Sequence, residues 1–427
     1  MNITESTNNP MKEKIKVVVV GGGFGGAYTA KNLAALVDPN KVEITLVSKN
    51  NHFLFTPLLH EVASGGLTPT SVVEPLREIL RGSNVHFLQA EVKAISEEKK
   101  FITISGEEIP YDYLVLSSGA ETNYYGVLGA EKHTHTLKDL SDAITIRNRI
   151  IEACEKAALT TDENERRHLL SCIIVGGGAT GVELAAEIVE YLEETICAYG
   201  KTQGLSQKDI NVSLIAASAE LIPQFPQALR RAAHEELTKK DVNVFTNAQA
   251  VSVSTHGVTL ADGTVHSAHT VIWVAGVKPL RIEIPGATSD KGGRVITNQF
   301  LQVQGNNHIW CLGDVANFTP AGTATTPLPM LAQVAVQQAK TVAKNIHAVI
   351  VGQPQSPFVY KSKGLLISLG QWYAAGTIFN FNFRGPVMWW VWRTVYLFNF
   401  HSWRKRLKIA VEWTINLFYP RDITYLR

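Results

Sequence analysis

Two glycine triplets have the spacing that lets a polypeptide backbone hold a diphosphate. Gly21, Gly23 and Gly26 lie in "VVVVGGGFGGAYTA", and Gly176, Gly178 and Gly181 lie in "IIVGGGATGVELAA". In a G-x-G-x-x-G segment the first glycine makes a tight turn and the second admits the phosphates close to the main chain. The third lets a helix pack closely on a strand. The helix that follows adds unpaired N–H groups and a partial positive charge. The chemistry is dinucleotide recognition, twice in one chain. Two bound dinucleotides suggest that one is a nicotinamide electron donor and the other a resident flavin.

Each triplet needs a strand before it and a helix after it, and the sequence supplies both. The β-branched run Ile15 to Val20 suits a central parallel strand buried on both faces. Beyond Phe24, residues Ala27, Ala30, Leu33 and Ala34 recur at helical spacing. The second copy repeats this, with Ile173 to Val175 as strand, Ala179 and Thr180 in the turn, and Val182, Leu184 and Ala185 on the helix. Three further strands run into small-residue turns. "YDYLVLSSG" ends in Ser118 and Gly119, "VIWVAG" in Ala275 and Gly276, and "IWCLGDVA" contains Gly313 and Asp314. At that last strand end the Asp314 carboxylate either accepts hydrogen bonds from a ribityl chain or turns the loop. The expected fold class is α/β, with two Rossmann-like dinucleotide-binding domains.

Composition sets the bounds. A chain of 427 residues with 45% hydrophobic and 18% charged residues is a globular protein of two or three domains. A net charge of +2 gives no signal for nucleic acid, although Arg404, Lys405, Arg406 and Lys408 cluster near the carboxy terminus. The four cysteines, Cys154, Cys172, Cys197 and Cys311, show no metal or CxxC spacing and read as reduced, buried thiols. No metal site is expected. The opening stretch "MNITESTNNPMKEK" is polar, so no export signal is expected.

The order of these motifs resembles the two-dinucleotide-binding-domain flavoproteins. Within them, "FTPLLHEVASG" (Phe55 to Gly65), "YDYLVLSSGAETNYYG" (Tyr111 to Gly126) and "AQVAVQ" (Ala332 to Gln337) resemble type II NADH:quinone oxidoreductases. The resemblance runs from about Ile15 to Arg427. It implies a resident FAD, NADH as donor, and a quinone as acceptor.

The resemblance also implies roles. Ala332, Gln333 and Gln337 would lie on a helix beside the flavin and help form the quinone pocket. Taken alone, Gln333 and Gln337 share one helix face and fit either a quinone carbonyl or a wet surface. Glu183 is read into the first turn of the second fingerprint helix. There an acid either complements the helix dipole or, as the resemblance implies, stands near flavin and nicotinamide as a proton relay. Lys363 would approach the isoalloxazine and the quinone, and Thr56 and Pro57 would line the flavin, with Val92 also assigned to the FAD site.

Two departures stand out. The strand Val42 to Val47 ends in Ser48 and Lys49 where an acid normally binds ribose hydroxyls. In "VSLIAASAE", Ala216 replaces the glutamate common in the family, which removes a ribose contact and the repulsion that excludes a 2′-phosphate. The nearest arginines are Arg230 and Arg231, so NADH is expected from the resemblance alone.

The carboxy-terminal region carries two further signals. Pro386 to Phe400 is aromatic but too short to span a bilayer, and Arg393 interrupts it. Trp403 to Phe418 reads as an amphipathic helix seated among lipid headgroups, or else as a packing or dimer helix. The expected layout is a polar tail (1–14), a discontinuous FAD domain (15–170 and 278–385), a nicotinamide domain (171–277) and a membrane-association region (386–427). The expected setting is a homodimer on the cytoplasmic side of the cell inner membrane. Alternatives are a sulfide:quinone oxidoreductase or NAD(P)H-dependent naphthoquinone reductase of the same fold, and a nucleotide-sensing flavoprotein without turnover.

Overall fold

A computed structural model describes residues 13–320, 326–379 and 381–425, with the backbone alone for 197–203. The chain divides into two compact units. The first takes in the chain up to Phe53, Pro75–Ala120 and Lys278–Lys361; the second takes in Leu54–Glu74, Glu121–Val277 and Ser362 to the end.

In the first unit the β-branched run forms the strand Ile15–Val20 at the centre of a five-stranded parallel sheet. Its neighbours are Val42–Ser48 on one side and Tyr113–Leu116 on the other, with Val85–Gln89 and Ile309–Cys311 at the edges. Val17, Val18, Val19 and Val20 are all buried, as a strand covered on both faces requires. The chain leaves the central strand toward one side and later fills the other, so strand order reverses there. Ligands of open α/β sheets bind in the crevice this reversal leaves at the strands' carboxyl ends. The helices Phe24–Ala34 and Ala332–Ile350 pack on one another in this unit.

The second unit repeats the plan. Ser171–Val175 lies between Asn211–Ile215 and Thr270–Trp273, with Val242–Phe245 and His135–Thr136 outside them, all parallel. Each unit also holds a three-stranded antiparallel meander, Val92–Ser96 to Glu107–Pro110 in the first and Ala250–Ser254 to Val265–Ser267 in the second.

The second unit ends in a three-stranded antiparallel sheet, Leu365–Ser368, Ala374–Ile378 and Phe381–Gly385, and two helices, Pro386–Phe398 and Trp403–Ile415. Their packing differs from a simple lipid-facing amphipathic pattern. Trp389, Trp392, Trp413 and Ile409 are buried inside the unit, and the buried Arg393 lies over the rings of Trp389 and Trp413 at 3.6 and 4.9 Å. The Glu74 carboxylate accepts the main-chain N–H groups of His401 and Ser402, at 3.1 and 2.8 Å, and so closes the start of the last helix. The apolar side chains left outside include Val387, Trp390, Val395, Phe398, Trp403, Leu407, Val411, Ile415 and Phe418. Among the described residues no helix is long and apolar enough to cross a membrane.

Candidate active site

The first glycine turn has the geometry its spacing predicts. Gly21 adopts φ +106°, and a Cβ there would sit 2.2 Å from the carbonyl oxygen of Ser117. A Cβ on Gly26 would lie 1.9 Å from the Gly21 oxygen, so strand turn and helix touch through glycine alone. Gly23 is different, because a Cβ there would meet nothing within 4 Å. It is the N-cap of the helix Phe24–Ala34, with no side-chain cap and no acid in the first turn. The helix therefore presents open N–H groups and its positive end to the space in front of it. A diphosphate fits that cradle.

The other residues read into this site are placed as follows. Phe24 packs edge-on against Phe53, ring centroids 4.8 Å apart. The Ser48 side chain faces the turn, 2.6 Å from where a Gly22 Cβ would stand. Lys49 is exposed and lies 3.8 Å from Glu91. Val92 is buried in the core with Val18, Val47 and Leu116. The Ser118 hydroxyl donates to the Leu280 carbonyl at 2.6 Å, and the Gly119 carbonyl accepts the Leu280 N–H at 2.9 Å.

Gly313 and Asp314 form a 3-10 turn in which Gly313 has φ +75°. The Gly313 N–H donates at 2.8 Å to Oε1 of the buried Gln338. Gln338 is a site residue the sequence reading missed. Its signal was present in the third glutamine of "AQVAVQQ".

Ala332 and Gln333 open the helix Ala332–Ile350, and Gln333 is half-buried. Gln337 uses both ends of its amide on Lys361, donating to its carbonyl at 2.9 Å and accepting its N–H at 3.1 Å. That side chain holds the strand-like run before Lys363, whose own side chain is exposed.

The second turn repeats the first. Gly176 has φ +133°, and its Cβ would lie 2.5 Å from the Val274 carbonyl. A Cβ on Gly181 would lie 1.9 Å from the Gly176 oxygen, whereas one on Gly178 would meet nothing within 4 Å. Gly178 caps the helix Ala179–Gln203, again with no side-chain cap and no acid in the first turn. Thr180 lies in that turn. A second dinucleotide fits here on the same physical grounds.

Ala216 is 1% exposed and stands against Gly177, so the strand end offers no carboxylate to a ribose. Arg230 forms a close ion pair with Glu220 and is already engaged. Ala275 and Gly276 follow the strand Thr270–Trp273, and a Cβ on Gly276 would strike the Tyr125 hydroxyl at 2.2 Å. Tyr125 therefore covers this turn, a placement with no sequence signal.

Glu183 corrects the sequence reading. The helix begins at Ala179, so Glu183 is its fifth residue and lies beyond the first turn, where the dipole acts most strongly. It is buried, accepts the Ser368 N–H at 3.2 Å, and has the His60 Nδ1 3.9 Å away. Burial pushes the Glu183 carboxyl well above its ordinary value, with Glu187 and Glu61 adding to the effect and the Ser368 N–H opposing it. Burial holds His60 down to about 3, helped by Arg421. With the imidazole held neutral, their contact is not an ion pair.

Around them lies a buried polar cluster that sequence spacing does not reveal. The His60 neighbour Glu61 accepts the Trp413 indole N–H at 2.5 Å. Burial raises its carboxyl to about 7 against the pull of Arg393. Arg421, 3% exposed on its side chain, reaches Glu187 at 2.8 Å, Glu190 at 3.0 Å and Glu194 at 3.5 Å, all on one face of the helix Ala179–Gln203. Thr56 and Pro57 form a 3-10 turn leading into the helix Leu59–Ala63 that carries His60 and Glu61. Cys154, Cys172 and Cys311 are free and buried, and Cys197 lies outside the described side chains. Burial raises the three described thiols, Cys154 and Cys172 to about 12. Among the described residues no cluster of side chains suits a metal ion.

Two uncapped glycine cradles, each at the reversal point of a parallel sheet, define a class of two-dinucleotide oxidoreductases. Residues 15–339 match the family model of the pyridine nucleotide-disulphide oxidoreductases, and residues 363–422 match the NDH2 C-terminal domain. The type II NADH:quinone oxidoreductase NdhA of Mycobacterium tuberculosis is 31% identical, across 97% of this chain and 90% of its own. The type II NADH:quinone oxidoreductase of Staphylococcus aureus is 29% identical, across 86% of this chain and 91% of its own. The structure of NDH2 from Plasmodium falciparum in complex with NADH superposes with a TM-score of 0.86 at 23% identity, covering 96% of this chain and all of that one. The chain belongs to the type II NADH:quinone oxidoreductases.

Proposed function

We propose that the chain is a non-proton-pumping NADH:quinone oxidoreductase that binds FAD in the first cradle and NADH in the second. The observation that carries this is the pair of open helix N-termini at Gly23 and Gly178, each backed by glycines that tolerate no side chain. When bound, the flavin accepts a hydride from NADH and passes two electrons to a quinone. The residues supply binding and proton control. Gly21, Gly26 and the Gly313–Asp314 turn, tied down by Gln338, hold FAD, with Phe24, Ser48, Lys49, Val92, Ser118 and Gly119 at its edges. Gly176, Gly181, Ala179, Thr180, Ala275 and Gly276 hold NADH beside Ala216. Gln333, Gln337 and Lys363 serve the quinone end, Gln337 by fixing the segment ahead of Lys363. Thr56 and Pro57 border the flavin, and Glu183, buried and with its carboxyl raised, handles protons.

By ligand, the division is residues 15–170 and 278–385 for FAD, 171–277 for NADH and 386–427 for the membrane, which cuts the chain differently from its packing units. The outward apolar residues of the last two helices seat a peripheral homodimer on the cytoplasmic face of the inner membrane. Arg404 and its basic neighbours add attraction to anionic lipid. NADH is favoured over NADPH because Arg230 is held by Glu220.

Stopped-flow mixing of the purified protein, first with NADH or NADPH and then with quinone, tests the assignment. The expected result is rapid bleaching of the flavin by NADH and recovery on adding quinone. A colourless protein that takes up no FAD, or a flavin bleached by sulfide but not NADH, overturns it.

A further inference from the structure

Reducing a quinone to its quinol takes two electrons and two protons; NADH brings both electrons with one hydrogen, and the second proton comes from water. We propose that His60 is the residue through which Glu183 exchanges that proton. This rests on the proposed quinone reductase reading and names a group within it.

The geometry is specific. His60 lies on the short helix Leu59–Ala63 with 3% of its surface exposed, and its Nδ1 is 3.9 Å from Glu183 Oε2. That gap is about 1 Å beyond hydrogen-bond distance. The other ring nitrogen, Nε2, is buried without a hydrogen-bond partner among the described residues. A buried imidazole nitrogen left unmatched is costly unless an exchangeable partner such as water takes it up. An imidazole with one nitrogen toward an acid and the other toward water accepts a proton at one end and releases one at the other.

The surroundings hold the ring neutral and raise the Glu183 carboxyl. Burial is the main cause; Arg421 from the carboxy-terminal segment adds positive charge beside His60, and Arg393 from the helix Pro386–Phe398 acts on the neighbouring Glu61. Glu61 on the same short helix and Glu187 on the helix Ala179–Gln203 put negative charge there. Tyr396 also faces Glu183. A proton gained at one ring nitrogen as the other passes its own to Glu183 leaves no net charge on the ring.

His60→Gln keeps a neutral amide of similar reach but cannot pass a proton through a ring. In single-turnover mixing, the FAD-loaded variant is expected to be bleached by NADH at the native rate. Recovery on adding a soluble quinone is expected to slow by about 100-fold. His60→Ala is expected to behave likewise, with added imidazole restoring the rate. A second readout needs neither NADH nor quinone: the infrared carboxylic C=O band of Glu183 in the oxidised protein, assigned with Glu183→Gln, is expected to shift in His60→Gln. An unshifted band, or flavin recovery at the native rate in His60→Gln, overturns the proposal. If the native protein is not reoxidised by quinone the broader functional reading fails, while the infrared band still decides whether His60 and Glu183 are coupled.

Discussion

Arg421 gives the sharpest test of how the carboxy-terminal segment holds the second unit together. Its guanidinium is nearly inaccessible and meets Glu187, Glu190 and Glu194 at 2.8, 3.0 and 3.5 Å. Arg421→Met keeps most of the aliphatic stem and removes the charge. Glu194 is part-exposed, and Glu190 keeps Lys240 and the Gln371 N–H at 2.9 Å, so neither is stranded. Glu187, with 7% of its side chain exposed, keeps the Ser64 hydroxyl at 3.2 Å and the more distant charge of Arg393. One guanidinium–carboxylate attraction at this separation is about 6 kcal/mol at an effective dielectric near 20. Leaving a buried charge without its partner costs about 3–5 kcal/mol. Urea unfolding followed by far-ultraviolet circular dichroism is expected to show a loss of that size. A variant within about 1 kcal/mol of native refutes the reasoning.

Three further outcomes follow from the same geometry. Glu61, raised to about 7 in the folded protein, contributes stability that is present below its ordinary value of 4.5 and lost as pH rises toward 7. Glu61→Gln should therefore flatten the fall in unfolding free energy across that interval, measured by urea titration, by about 3 kcal/mol at most. Gly178→Ala should fold normally, since its Cβ has open space, yet weaken NADH binding by at least about tenfold in equilibrium titration. Gly176→Ala, at φ +133° and against the Val274 carbonyl, should instead lose at least about 1–3 kcal/mol of stability. Ala216→Glu should depress kcat/KM for NADPH more than for NADH, by about tenfold or more, because a carboxylate at the strand end repels a 2′-phosphate; equal effects on both donors would count against Ala216 as the selecting position.

The glycine spacing determined the two cradles by itself, and the reason is local: a positive φ and a Cβ-free approach are properties of neighbouring backbone. The β-branched runs likewise determined the buried central strands. The exposed apolar residues of the last two helices were legible as amphipathic spacing, but which tryptophans face inward was not. Trp413 looked like an interfacial anchor and instead donates to Glu61, 352 residues away in sequence. Gln337 looked like a ligand contact and spends its amide on Lys361, while the unremarked Gln338 grips the Gly313 turn. Glu183 was legible as an acid near a phosphate cradle, but its environment was decided by His60, Ser368, Glu61 and Glu187, drawn from three separate segments of the chain. Burial and the sum of distant charges set a protonation state, and neither is a property of residue order; only the packed chain brings those groups within reach.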